Sequence, residues 1–275
     1  MIDLLTATWT DINAIDDGQR VLVMVVGPTE QHGPHLPFGT DIYAAQEMLR
    51  RILPVIEDHH HLTAIQAPPI FYVPAVLSRE YPGSVSVRKN HFRSYLIDIL
   101  ASFAANGISR AILVSSHIDP PFVRAIQSAC NTVNEDYGVQ YISGYERFPL
   151  EDVVNGTSAS SLGFPPDLIG DVHAGLMETA NTLYIRPDLV HMDILEELVA
   201  EPLDFQAIRH LRSLRNTGSG LGYVGFPASA RPEYGKHWFE RYGEMFQAVV
   251  TRYLNGEDVR NDLAIDHLLP DTLKK

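Results

Sequence analysis

Val21-Leu22-Val23-Met24-Val25-Val26 is an unbroken apolar run, the pattern of a strand buried on both faces. Beyond it, Ile42, Ala45, Met48, Leu49 and Ile52 recur at helical spacing, with Thr40 or Asp41 placed to cap that helix and Pro54 near its end. The alternation then repeats. A strand is predicted over 62–67, then a helix over 89–106 that carries Phe92, Tyr95, Leu96, Ile99, Leu100 and Phe103 on one face. Ala111-Ile112-Leu113-Val114 is a second apolar strand, Pro120 and Pro121 open a helix holding Val123, Ile126 and Cys130, and 139–142 reads as another strand. Apolar strands separated by amphipathic helices describe an α/β fold with a parallel sheet covered on both faces.

From 145 to 172 the pattern lapses into a stretch rich in Gly, Ser, Pro and Asn, anchored by Phe148 and Phe164. A loop of that length is expected to be a lid or an oligomer contact. Helical spacing returns at 174–184. A last amphipathic helix is predicted over 232–254, with Trp238, Tyr242, Met245, Phe246 and Val249 facing inward. No linker-like composition divides the chain, so 1–275 is read as a single domain.

The formal net charge of -13, with 21 Lys and Arg in no dense cluster, argues against a nucleic-acid partner. A small-molecule substrate fits better. Cys130 is the only cysteine, which excludes an intramolecular disulfide and gives no sign of an oxidising compartment. Met1-Ile2-Asp3-Leu4-Leu5 carries acid where a signal peptide carries positive charge, and no apolar run approaches the roughly 20 residues of a membrane span. The expectation is a cytoplasmic protein with no membrane partner.

The chemistry is concentrated at strand ends. Directly after the first apolar run come Glu30, His32, His35 and Asp41, set among Pro and Gly residues that keep the loop from becoming a helix. Strand ends at the carboxyl edge are where α/β proteins place ligands. Ser115-Ser116-His117-Ile118-Asp119-Pro120 holds the equivalent place after the second apolar strand, so His117 and Asp119 can meet Glu30, His32 and Asp41. A third cluster, 171–179, puts His173 at a loop-to-helix boundary and Glu178 about one turn inside the helix. Carboxylates gathered at one sheet edge are costly unless a cation sits among them. His59-His60-His61, beside Glu57 and Asp58, reads instead as solvated surface.

Gly27-Pro28-Thr29-Glu30-Gln31-His32-Gly33-Pro34-His35-Leu36-Pro37, followed by Gly39-Thr40-Asp41, resembles the signature of the creatininase family of metal-dependent amidohydrolases. His173-Ala174-Gly175 with Glu178-Thr179 resembles that family's second signature, and the order agrees over most of the chain. The resemblance implies a three-layer αβα sandwich with a mostly parallel central sheet, commonly assembled as a homohexamer. It implies one or two divalent metal ions per chain, Zn²⁺ being the leading expectation and Mn²⁺ or Fe²⁺ the alternatives. The family's ligand pattern falls on Glu30, His32, Asp41, His117 and Asp119, with Asp41 bridging the ions in dinuclear members. The chain departs from the family after the second strand, where many members carry an Asn-Gly-His-Gly-Gly-Asn run. Asp119 resembles the Glu of creatininase proper. Creatininase also closes over its substrate with tryptophans, whereas the only two here, Trp9 and Trp238, lie elsewhere, which argues against creatinine as substrate.

The expected reaction is hydrolysis of a C–N bond in a small amide, lactam or formamide through a metal-activated water. His173 is the candidate proton donor to the leaving nitrogen. Glu178 is placed to orient His173, complete the metal shell or cap backbone amides. His35 is expected behind the ligands or against the substrate; Ser78 resembles the family's substrate-side loop, and Arg79 beside it is placed to pair an anionic substrate. Two alternatives stand: opening of a cyclic ketone or diketone by C–C cleavage in sugar or inositol catabolism, and a non-catalytic metal-binding assembly subunit.

Overall fold

The computed structural model describes residues 1–144, 170–204, 207 and 210–259. Five parallel strands form the sheet, β1 (Ile2–Asp3), β2 (Arg20–Val25), β3 (Thr63–Gln66), β4 (Arg110–Val114) and β5 (Gln140–Ile142), in the order β1-β3-β2-β4-β5. Among the described residues the α-helices are α1 (Trp9–Asn13), α2 (Thr40–Pro54), α3 (Lys89–Ala105), α4 (Pro120–Tyr137), α5 (Leu176–Ile185), α6 (Met192–Leu195) and α7 (Pro232–Leu254).

All six residues of the central strand β2 are buried, and successive side chains on a strand point to opposite faces. Val21, Val23 and Val25 accordingly pack with Met48 and Ile52 of α2, Leu176 and Ala180 of α5 and Phe239, Phe246 and Val250 of α7. Leu22 and Met24 pack on the other side with Phe92, Leu96 and Leu100 of α3 and Phe122, Ile126 and Val133 of α4. The sheet is thus sandwiched between two helical layers, the αβα arrangement that its continuous apolar strands require. Cys130 belongs to the second layer and is buried.

On the first layer α5 and α7 approach closely at Gly235. A Cβ built there would overlap the main-chain oxygen of Ala180, so only glycine lets the two helices pack at this separation.

Several expectations need correction. The N-cap of α2 is Gly39, not Thr40 or Asp41, and the Thr40 hydroxyl donates instead to the Pro37 carbonyl (2.8 Å). Tyr95 of α3 and Met245 of α7 face solvent, 56% and 41% exposed, where an inward orientation is predicted. The helix expected from position 174 starts at Leu176, because Ala174 has φ +48° and cannot join it. Two short elements carry too few residues for periodicity: β1, which pairs with β3, and α1, opened by a capping box between Thr8 and Asp11. The expected lid or contact loop falls, over 145–169, outside the described residues, and Phe148 and Phe164 with it. No helix among the described residues is long and apolar enough to cross a membrane.

Candidate metal centre

Two strand ends set the geometry. Val25 of β2 and Val114 of β4 are register partners, so the chain leaves both strands side by side at the same edge. Glu30 and His32 follow β2, and His117 follows β4. Glu30 N–H donates to the Phe38 carbonyl (3.2 Å), closing the intervening loop and starting α2 beside it. Asp41 therefore enters from the first turn of α2 and faces the two imidazoles.

Each imidazole is held by a backbone carbonyl on its outer nitrogen. His32 donates from Nδ1 to Glu30 O (3.1 Å), and His117 from Nε2 to Pro74 O (3.0 Å). The inward nitrogens, Nε2 of His32 and Nδ1 of His117, thereby face the carboxylates and can bind a metal ion once they give up their protons. His117 Nδ1 lies 3.0 Å from Glu30 Oε1 and 3.6 Å from Asp41 Oδ2, while His32 Nε2 lies 3.4 Å from Asp41 Oδ2 and 3.7 Å from Glu178 Oε2. Three donor sets have their ligand atoms within 4.8 Å of one another: Glu30, Asp41 and His117; His32, Asp41 and Glu178; and Glu30, His32 and His173.

The third cluster arrives on a strained turn. His173 pairs with Val224 through both backbone groups (3.2 and 2.7 Å), and its ring stacks on His32 at 4.5 Å. His173 Nε2–H donates to the Gln31 carbonyl (2.8 Å). The left-handed Ala174 then aims its N–H at Glu178 Oε2 (2.5 Å). Asp171 caps the start of α5, accepting from Leu176 N (2.7 Å), Met177 N (3.1 Å) and Phe226 N (3.0 Å). A Cβ at Gly175 or Gly225 would overlap that carboxylate.

Electrostatics favour a cation here. Burial opposes charge on both His32 and His117, yet Glu178 and Asp41 around the first and Glu30 and Asp41 around the second outweigh it and raise both to about 10. Burial also works against the Glu30 carboxylate, but His117 holds it well below its usual range. Burial lifts Glu178 to about 7 against the pull of His32, and lowers His173 to about 4 with help from His32. The cluster thus recruits protons onto two buried imidazoles to balance its carboxylates. His32 Nε2 and Asp41 Oδ2 are buried with no hydrogen-bond partner. Their 3.4 Å separation matches two ligands on one tetrahedral zinc, since bonds of about 2.1 Å put ligand atoms roughly 3.4 Å apart. The residues present fit divalent metal.

Glu30, His32, Asp41, His117, His173 and Glu178 therefore converge. Asp119 stands in none of the donor sets: its Oδ2 accepts from Val76 N (2.6 Å), its Oδ1 is buried without a partner, and burial lifts it to about 6. His35 is fully enclosed, with Nε2 on the Thr179 hydroxyl (2.9 Å). Ser78 is equally enclosed and donates to Glu30 Oε2, so it exposes no surface to a ligand. Arg79 is exposed. His59 and His61 are exposed as well.

Sequence reasoning misses Gln31. Besides its carbonyl contact to His173, its side chain accepts from Gly33 N (2.8 Å) and donates to Gly222 O (2.8 Å), tying the first cluster to a glycine-rich turn. The available signal is Gly222, where a Cβ would overlap the Gln31 amide. Ser116 is also missed, although it lies beside His117; its hydroxyl reaches Asp41 Oδ1 (3.1 Å) and Asp41 O (3.0 Å).

A parallel αβα sheet with carboxylates and imidazoles converging at its carboxyl edge defines an α/β protein with a candidate metal site. The chain belongs to the creatininase family, whose model, described as creatinine amidohydrolase, matches residues 6–250. It is 28% identical over 263 residues to the mycofactocin precursor peptide peptidase of Mycobacterium ulcerans, covering 92% of this chain and 90% of that one. It is 24% identical over 200 residues to the creatinine amidohydrolase of Pseudomonas putida, covering 68% and 72%. Creatininase solved in a manganese form and a Glu-to-Gln mutant of creatininase solved in a Zn-Zn form superpose with TM-scores of 0.65 and 0.63 at 20% identity, covering 92% of this chain and 98% of each of those.

Proposed function

We propose that this protein is a metal-dependent hydrolase of an amide C–N bond, with two ions held by donor sets that share Asp41. The observation that carries this reading is the enclosed, unbonded pair His32 Nε2 and Asp41 Oδ2. Glu30, Asp41 and His117 would hold one ion and His32, Asp41 and Glu178 the other. Zn²⁺ and Mn²⁺ are the candidates, supported by the forms in which creatininase has been solved. Such ions supply an activated water, whose pKa can fall from 15.7 to about 7, and a Lewis acid for the substrate carbonyl.

The remaining work falls to this chain's own side chains. His173 is neutral at pH 7, since burial and the neighbouring His32 lower it to about 4. With Nε2–H fixed on Gln31 O, it can take a proton on Nδ1 and pass it to the leaving nitrogen. Glu178 acts as a ligand in this reading, and Ala174 N–H orients it. Ser78 and His35 act indirectly, the first holding Glu30 and the second holding Thr179 next to Glu178. Asp119 acts as the anchor of Val76.

Amide cleavage is common to the names of two of the relatives, a peptidase and an amidohydrolase, and the same centre suits a peptide, a lactam or a formamide. The test is a substrate panel of those three classes together with a cyclic diketone, run on protein stripped of metal and then reloaded with Zn²⁺ or Mn²⁺. Metal-dependent release of amine is expected. Turnover of a cyclic diketone with no amide cleaved would overturn the bond assignment, and no turnover by metal-loaded protein would favour an assembly subunit.

A further inference from the structure

We propose that Ser116 is a positioning residue for the shared carboxylate: its hydroxyl holds Oδ1 of Asp41, so that Oδ2 alone serves both donor sets. This rests on the two-ion reading above. A carboxylate between two ions can give one oxygen to each or a single oxygen to both, and the surroundings of Asp41 distinguish these. Oδ1 is engaged by Ser116 Oγ at 3.1 Å. Oδ2 is buried without a hydrogen bond and lies almost equally far from the inward nitrogens of the two sets, 3.4 Å from His32 Nε2 and 3.6 Å from His117 Nδ1.

The Ser116 hydroxyl also reaches the Asp41 carbonyl at 3.0 Å, but the charged carboxylate is the stronger acceptor of its single proton. That single proton ties the Asp41 side chain to the exit of β4 at the start of α2. Because Ser116 immediately precedes His117 at the exit of β4, one turn delivers a ligand to the first set and orients the ligand common to both. A glycine at this position has no hydroxyl for the purpose. The device is therefore built from this chain's own Ser116.

The experiment compares wild type, Ser116→Ala, Ser116→Gly and Ser116→Thr after metal stripping. Zn²⁺ is titrated by calorimetry, and the two-Mn²⁺ forms are examined by electron paramagnetic resonance. Removing a group that orients a metal ligand typically weakens binding 10- to 100-fold. Loss on that order is expected in both the Ala and the Gly variant, with Thr, which keeps the hydroxyl, within a few-fold of wild type. At full occupancy the Mn–Mn exchange coupling should change in Ala and Gly, because Oδ1 becomes available as a separate ligand atom. Thermal unfolding of the stripped proteins identifies any variant that fails to fold; Ala and Gly each carry the prediction independently. Wild-type affinity and unchanged coupling in a folded Ala or Gly variant would overturn the proposal. Saturation of the wild type at one ion would instead overturn the two-ion reading, and does so without reference to any variant.

Discussion

His32 Nε2 and Asp41 Oδ2 face each other across 3.4 Å, both enclosed and neither hydrogen-bonded. A buried polar atom left without a partner costs about 1–3 kcal/mol, and here two such atoms point at one position. The first of them also has Glu178 Oε2 at 3.7 Å. A cation bound between these groups satisfies all three at once, which the protein's own donors do not.

Asp41→Asn should consequently remove metal without removing the fold. The amide keeps the shape of the side chain but carries no charge, and it belongs to both proposed sets. Metal per chain is expected to fall below one by elemental analysis. The thermal midpoint should become insensitive to chelator, whereas a ligand at 1,000 times its dissociation constant adds about 4 kcal/mol to the wild type. Metal content equal to wild type would remove Asp41 from the ligands.

Gly235→Ala tests how the helical layer supports the centre. The new methyl would meet the Ala180 carbonyl across the α5–α7 contact, and overpacking of this kind costs about 1–3 kcal/mol. Because Glu178 rides on the first turn of α5, the displaced helix should also bind metal more weakly. Urea unfolding with and without Zn²⁺ separates the two effects. Unchanged stability would mean that the helices can part without strain.

The elements most legible in the sequence are those whose burial is continuous or strongly one-sided. β2, buried at all six positions, and α7, bounded by Pro232 and Leu254, lie within a residue of their expected ends. Tyr95 and Met245 mislead because large apolar side chains also occur on solvent faces. In the site, Glu30, His32, Asp41 and His117 are legible since two adjacent parallel strands must release their loops at one edge. For Asp119, nearness to His117 in sequence says nothing of the Val76 amide that takes one of its two oxygens. Gln31 and Ser116 act through contacts to distant backbone and to a carboxylate on another element, and such contacts leave no periodicity.

The metal-free protein should lose stability as the pH rises above neutrality. His32 and His117 are raised from 6.5 to about 10, so the fold retains protons that the unfolded chain releases. Their contribution is complete below about pH 6.5 and is lost as the pH climbs through 10. The raised carboxyls of Glu178, Asp119 and Asp171, at about 7, 6 and 6, act with the same sign, their contribution being lost between about pH 4 and 7. His35 and His173, both lowered to about 4, oppose it only between about pH 4 and 6.5. Above pH 7 the two raised histidines remain, and metal binding must displace their protons. Calorimetry near pH 8 in buffers of different ionisation heat should show close to two protons released per chain. Thermal midpoints between about pH 7 and 9.5 should fall in chelator and hold steady with Zn²⁺; parallel slopes would sink the argument.

His173 separates a proton carrier from a further ligand. Its ring stacks on His32 at 4.5 Å, and its Nε2 is anchored on the Gln31 carbonyl, yet a ring nitrogen also falls within reach of Glu30 and His32. If it moves a proton during C–N cleavage, His173→Ala should lower kcat by about 10²- to 10⁴-fold while metal per chain stays at the wild-type value. His173→Gln, which can still donate to Gln31 O, should preserve the local structure and remain as slow as Ala. The defect should be smaller for a substrate with a good leaving group, because such a nitrogen departs without being protonated. Metal lost together with rate would instead make His173 a ligand, and wild-type kcat in the Ala variant would exclude both roles.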